Sequence, residues 1–289
     1  MAQANKDAYY VPHGSHWPMV GSIGLFTLMA GAASWLNNSS SGPIIMAAGA
    51  AIIIYMIFGW FGTVIRESEG NYYNKDVDTS FRVGMMWFIF SEIMFFCVFF
   101  GALFYARTIA LPWLGGDSNN FFTNALLWEN FTAGWPTNGP GEIGGEFEPM
   151  APWPLPTINT IILLTSGVTL TVAHHAIKDN NRGVLSIFLA LTWLLGFIFM
   201  GLQAFEYYEA YAHLNLTLGS GIYGSTFFML TGFHGLHVTI GAIMLFVVWL
   251  RCLRGHFTPE NHFAFEATAW YWHFVDVVWL GLYIFVYWL

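Results

Sequence analysis

The sequence predicts an all-α membrane protein with seven transmembrane helices. Three observations carry this prediction: the scarcity of charge, the length of the apolar runs, and the side on which the basic residues fall. Hydrophobic residues make up 56% of the 289-residue chain and aromatic residues 19%, while charged residues reach only 9%. A soluble domain carries roughly 25% charged residues, so this chain lacks the polar surface to be one, and its mean hydropathy of +0.54 agrees. The apolar runs are about twenty residues long rather than short and alternating, which selects helices over a barrel. A net charge of −8 with no basic patch argues against nucleic acid as a partner. Cys97 and Cys252 form no CxxC pair and fall in or at the end of apolar spans, so no disulfide framework is expected.

The spans are delimited by proline, by Trp and Tyr at the interfaces, and by charged flanks. The first is expected near Pro18–Leu36, after an opening MAQANKDAYYVPHGSHWPM that lacks the basic start and short apolar core of a cleavable signal. The second, Ile44–Val64, stops just before Arg66 and Glu67. The third, Val83–Ala106, lies between Arg82 and Arg107, and the fourth, Thr157–Ala176, ends before Lys178. The fifth, Val184–Tyr207, follows Arg182, and the sixth, Thr226–Leu250, halts at Arg251. The seventh, Phe263–Leu289, runs to the end of the sequence. The last two exceed twenty residues and should tilt or project beyond the hydrocarbon. With no internal repeat or low-complexity segment, the chain reads as one transmembrane domain, residues 1–289.

Seven spans put the two termini on opposite sides. The N-terminal tail and the second, fourth and sixth loops hold Lys6, Arg66, Lys75, Arg82, Lys178, Arg182, Arg251 and Arg254, whereas the other side holds Arg107 alone. The positive-inside rule then places the N-terminus in the cytoplasm or mitochondrial matrix and the C-terminus outside. Residues 108–156 become one long outward loop, rich in Gly and Pro and acidic through Asp117, Glu129, Glu142, Glu146 and Glu148. Such a loop is read as a solvated cover, with attraction of a basic partner as the alternative.

The informative residues are those a bilayer should reject, because the hydrocarbon offers no water to solvate them. Glu92, in FIFSEIMFFCVFF, sits near the middle of the third span. FHGLH places His234 and His237 three apart on one face of the sixth, and WYWHFVDVVW places His273 and Asp276 three apart on the seventh. Three readings stand open. Hydrogen-bonded polar side chains can tie helices together. Two His with carboxylates suit zinc or non-haem iron by ligand type, although the remaining histidines, His174, His175, His256 and His262, look scattered in sequence. A proton-conducting relay would need groups across the whole bilayer, while the stretch beyond Glu92 is apolar. Desolvation favours the protonated form of Glu92, which would then donate a hydrogen bond to a neighbouring helix, with His237 or His273 as partners on depth. Arg66 and Arg251, at the basic interface, suit lipid phosphate. His13 and His16, before the first span, could collect protons at the surface.

Several strings together are similar to those of a known family. VIRES (64–68), FRVGMMWFIFSEIMFF (81–96), SGVTLTVAHHAI (166–177), QAFEYYEA (203–210), YGSTFFMLTGFHGLHVTIG (223–241) and HFAFEATAWYWHFVDVVWLGLYIFVYWL (262–289) appear in family order, and HWPMVGS (16–22) adds the first span. The sequence resembles the third subunit of the haem-copper terminal oxidases, of the cytochrome c-oxidising type. The long outward loop, LLWENFTAGWPTNGPGEIGGEFEPM, looks like an extension relative to mitochondrial members and favours a bacterial chain.

The resemblance implies two helices splayed from five, with phospholipids in a V-shaped cleft between them. By position it implies lipid contact by Trp60, Arg66, Glu67, Arg251 and His256, and it matches Glu92 to an intramembrane glutamate. It implies no catalytic residue and no metal in this chain; haem and copper would belong to the first two oxidase subunits, which would be its partners, with cytochrome c as electron donor to the complex. The expected role is accessory: to stabilise the catalytic subunit, support proton uptake and line an oxygen route. The expected location is the bacterial inner membrane, with the mitochondrial inner membrane as the alternative.

Overall fold

The computed structural model describes residues 9–12 and 14–289, and every regular element among them is helical. Among the described residues, seven helices are long and apolar enough to cross a membrane. They are α1 (Trp17–Leu36), α2 (Gly42–Glu69), α3 (Lys75–Tyr105), α4 (Leu155–Lys178), α5 (Arg182–Ala212), α6 (Gly221–Leu253) and α7 (Phe263–Leu282). Helix α3 continues through a π turn, Ala106–Ala110, into Leu111–Leu114, and α7 through a π turn, Tyr283–Trp288. The start of the long loop is therefore helical, and the rest of it contains one further two-turn helix, Phe121–Leu127.

Most helices overrun their apolar runs, because a helix need not stop where the hydrocarbon does. Beyond it, water and polar side chains satisfy the free backbone groups. At the start of α3 the Val77 N–H donates to Asn74 Oδ1 at 3.0 Å, and Asp76 and Asp78 lie in the positive first turn. At the start of α5 the Val184 N–H donates to Asn181 Oδ1 at 3.2 Å.

The chain divides into two compact units, residues 1–83 and 84–289. In the first, α1 and α2 pack against each other at backbone distance. A Cβ at Gly31 would run into the backbone of Met46, and one at Gly49 into that of Leu28. The Trp17 indole closes one end of the pair by donating to Thr63 Oγ1 at 3.3 Å.

The second unit holds the core. Within it α7 is the most buried span, with 56% of its most apolar stretch buried, against 28% for α5. Helix α3 joins this core through one stripe, Glu92, Phe96, Phe99 and Leu103, at helical spacing. Phe96 and Leu103 are buried, while Trp87, Phe90, Met94 and Val98 on other faces are exposed and apolar, as lipid contact requires. Between membrane helices the hydrophobic effect supplies little attraction, so packing and hydrogen bonds hold the bundle. Trp272 Nε1 donates to Ser166 Oγ and Trp279 Nε1 to Thr160 Oγ1, both at 2.9 Å, tying α7 to α4. Thr169 and Thr192 join α4 to α5 at 2.8 Å, and Tyr207 and Thr231 join α5 to α6 at 2.7 Å.

Candidate functional site

Glu92 and His237 meet. The stripe that turns Phe96 into the core also turns Glu92 toward α6, where its Oε2 lies 2.9 Å from His237 Nε2. The side chains are 21% and 12% exposed, respectively, so the pair is largely withdrawn from its surroundings. The other ring nitrogen, Nδ1, is 2.6 Å from the Phe233 carbonyl oxygen. A carbonyl oxygen can only accept, so Nδ1 carries a proton. One further proton is then shared between Nε2 and Oε2: a neutral ring accepts from a protonated carboxyl, or an imidazolium donates to a carboxylate. Phe96 meets the ring edge-on at 5.0 Å between centroids, and Tyr271 stacks at 6.3 Å.

The other midplane groups are engaged separately. His234 is 1% exposed and its Nε2 donates to the Val275 carbonyl at 3.2 Å, tying α6 to α7, while Nδ1 has no hydrogen-bond partner. His273 Nδ1 lies 3.8 Å from Asp276 Oδ2, too far for a hydrogen bond. Asp276 is buried, and its Oδ2 packs against Gly167 of α4, where a Cβ would approach it to 2.5 Å. Glu92 and His237 thus tie α3 to α6, His234 ties α6 to α7, and Asp276 packs against α4.

In the first unit, the His16 ring lies tilted against Trp17 at 4.2 Å between ring centroids, and His13 lies outside the described residues. Trp60 and Arg66 are exposed, with Arg66 Nη2 donating to Thr63 Oγ1 at 3.2 Å. Glu67 is engaged more tightly. The Tyr10 hydroxyl donates to its Oε1 at 2.9 Å and the Tyr73 hydroxyl to its Oε2 at 2.8 Å. Burial first, and then the Glu67 carboxylate, push the hydroxyl pKa of both tyrosines above its ordinary value. Glu67 therefore fastens residues on both sides of α2.

In the second unit, Arg251 is 8% exposed and its guanidinium lies 4.4 Å above the Phe257 ring. His256 is half-buried, and its backbone N–H donates to the Arg251 carbonyl at 3.1 Å. Beside this turn the fold gathers residues that look scattered in sequence. His174 of α4, His262 just before α7 and Glu266 of α7 each offer one ligand atom, all within 4.8 Å of one another. Glu266 Oε1 is 3.3 Å from His262 Nε2 and 3.7 Å from His174 Nε2, while His262 Nδ1 faces the Thr258 carbonyl at 3.1 Å. Two imidazoles and a carboxylate can hold a divalent ion or exchange protons.

Sequence reasoning missed this cluster because Glu266 follows a loop and looks like a surface residue. It also missed Glu206 of α5, which is fully buried and accepts from the Tyr287 hydroxyl at 2.6 Å. The available signal was the carboxylate that opens the EYYEA segment, near the end of the apolar run.

The family model for cytochrome c oxidase subunit III matches residues 7–289. Cytochrome c oxidase subunit 3 of Carassius auratus is 42% identical over 282 residues, covering 97% of each chain. The horse protein of the same name, from Equus caballus, is 40% identical over the same length and coverage. A match along nearly the whole chain, over all seven spans, shows that this chain belongs to the cytochrome c oxidase subunit III family.

Proposed function

We propose that the chain is the accessory, non-redox subunit of an oxidase that reduces oxygen to water with electrons from cytochrome c. The observation that supports this most is the family match over 97% of the chain. As a family member the chain is a subunit of an oxidoreductase complex and works with other oxidase subunits. The proposal adds that subunit 1 is its direct packing partner, that subunit 2 belongs to the same complex, that cytochrome c donates electrons to the complex, and that haem and copper reside in those partner subunits. Consistent with this role, Glu92, His237 and His234 bind other helices or each other rather than converging on one point. A metal-dependent enzyme is favoured only by the His174, His262 and Glu266 set, which lies by the 254–262 turn, away from the midplane pair. Elemental analysis of the isolated chain separates the two readings.

The proposed service to the complex is lipid binding, stabilisation of the catalytic subunit, proton uptake and oxygen access. Trp60 and Arg66 offer an exposed ring and an exposed cation, the pairing a phospholipid headgroup region calls for. Glu67 orders the adjoining segment through its two tyrosines. Arg251 and His256 are proposed as a second lipid contact beside the Phe257 ring. Mass spectrometry of Arg66→Ala and Arg251→Ala complexes tests this; unchanged phospholipid retention argues against it. His13 and His16 are proposed to collect protons; proton-uptake rates that stay flat from about pH 6 to 9 in His13→Ala/His16→Ala argue against it.

The membrane proposed is a bacterial cytoplasmic membrane, on the strength of the long loop, with the N-terminus on the basic side and the C-terminus periplasmic. The vertebrate relatives favour the mitochondrial inner membrane as a second assignment, and fractionation of the source cells decides between them.

A further inference from the structure

Three buried amide and carboxyl side chains among the described residues remain outside every role described above. Asn159 of α4 is 0% exposed, Gln203 of α5 is 4% exposed, and Glu206 of α5 is 0% exposed. Tyr287 Oη and Gln203 Nε2 both donate to Glu206 Oε1, at 2.6 and 3.5 Å. Glu206 Oε2, Gln203 Oε1 and both amide atoms of Asn159 have no hydrogen-bond partner. Buried polar atoms are nearly always paired with protein or with ordered water, so four in one region require an account.

The helix register places them at one level of the bundle. Thr169 and Thr192 are bonded across the antiparallel α4 and α5. The residues ten positions beyond that bond toward the C-terminal π turn are Asn159 and Leu202, the latter adjacent to Gln203. A second marker agrees: Thr160 and Phe199 both touch the indole of Trp279. Side chains lean toward the N-terminus of their own helix. Since the two helices run oppositely, Asn159 leans toward the level of Gln203 and Glu206, and those two lean back toward Asn159. The π turn at the end of α7 closes the region. It is pinned to α4 by Tyr283 and Thr157 at 2.6 Å and to α5 by Tyr287 and Glu206.

We propose that Asn159, Gln203 and Glu206 enclose an ordered water between α4, α5 and the C-terminal turn. With a carboxylate at Glu206, the water accepts from Asn159 Nδ2 and donates to Gln203 Oε1 and Glu206 Oε2. With a carboxylic acid, whose proton sits on the free Oε2, it accepts from Oε2 and donates to the two amide oxygens. Three partners are typical of a buried water. A metal ion fits less well, because the Asn159 amide hydrogens would face it. The water would join segments from three parts of the sequence and supply the hydrogen bonds that these atoms otherwise lack.

The test is a structure of the complex as it purifies with this chain, at a resolution that shows individual waters, for the natural chain, Asn159→Leu and Glu206→Gln. The natural chain should show one compact density peak roughly 2.7–3.2 Å from at least three of the four atoms. Glu206→Gln should keep it and Asn159→Leu should lose it. Direct hydrogen bonds among the three side chains with no peak between them overturn the proposal. So does a peak ringed only by oxygens at about 2.3–2.6 Å, which marks a cation. If Asn159→Leu does not assemble, the natural chain and Glu206→Gln decide the matter.

Discussion

Glu92 and His237 stand 145 positions apart in sequence and 2.9 Å apart in the fold, each supplying the other's hydrogen-bond partner inside the membrane spans. The proton on His237 Nδ1, held by the Phe233 carbonyl, leaves Nε2 to face the carboxyl. A glutamine amide can donate to that nitrogen, so Glu92→Gln should leave assembly and turnover nearly intact. Glu92→Ala or His237→Ala strands the remaining partner and should weaken retention of the chain by about 1–3 kcal/mol. Combining the two should cost less than their sum. Detergent- or heat-induced loss of this chain from the complex measures each effect. A large loss of proton uptake in Glu92→Gln would assign Glu92 to a relay instead.

Gly167 exists where Asp276 needs room. A methyl group there would come within 2.5 Å of the Asp276 carboxyl oxygen, and that carboxyl is buried against α4. Gly167→Ala should therefore destabilise the α4–α7 contact by about 1–3 kcal/mol. Gly167→Ala/Asp276→Ala should recover part of the loss. Midpoints of thermal dissociation for the two variants check this.

The Trp272 indole is fully buried and donates to Ser166 Oγ. Trp272→Phe removes volume and leaves that hydroxyl without its donor, so it should cost about 2–4 kcal/mol. Ser166→Ala should cost about 1–3 kcal/mol, because it leaves only the indole N–H unsatisfied. Comparing dissociation midpoints of the two variants tests the order.

Tyr10, Tyr73 and Glu67 make alkaline stability a readout of the first unit. Burial and then Glu67 raise both phenol pKa values in the fold. A group bound more tightly to its proton when folded stabilises the fold below the unfolded pKa of about 10. That contribution fades as pH rises above this value, toward the folded pKa. Raising the pH through about 10 should therefore loosen the residues around Tyr10 and Tyr73. Glu67→Gln should bring tyrosinate formation to lower pH, as followed by the absorbance difference from Tyr73→Phe. An unchanged titration would remove Glu67 as a cause.

Much of this was legible in the sequence, and the limits have physical reasons. Apolar runs and basic flanks locate seven spans because lipid imposes length and composition on each helix separately. Depth along a helix also follows from counting, which leaves His237 and His273 as equal partners for Glu92. Rotation decides between them: the Phe96–Leu103 stripe faces α3 toward α6, and His273 lies beside Asp276. The bonds of Glu67 were not legible, because Tyr10 and Tyr73 reach it only through the fold of the N-terminal segment. The cluster of His174, His262 and Glu266 was invisible for a similar reason, since helix packing rather than spacing brings α4 and the start of α7 together.

The most direct test of the account is to purify the chain through an affinity tag in mild detergent and record its companions and its optical spectrum, then repeat the spectrum on the separated chain. The account predicts an oxidase complex with haem absorbance, and a separated chain with neither haem nor stoichiometric copper. Haem or copper that stays with the separated chain, or purification with no oxidase subunit, would contradict it.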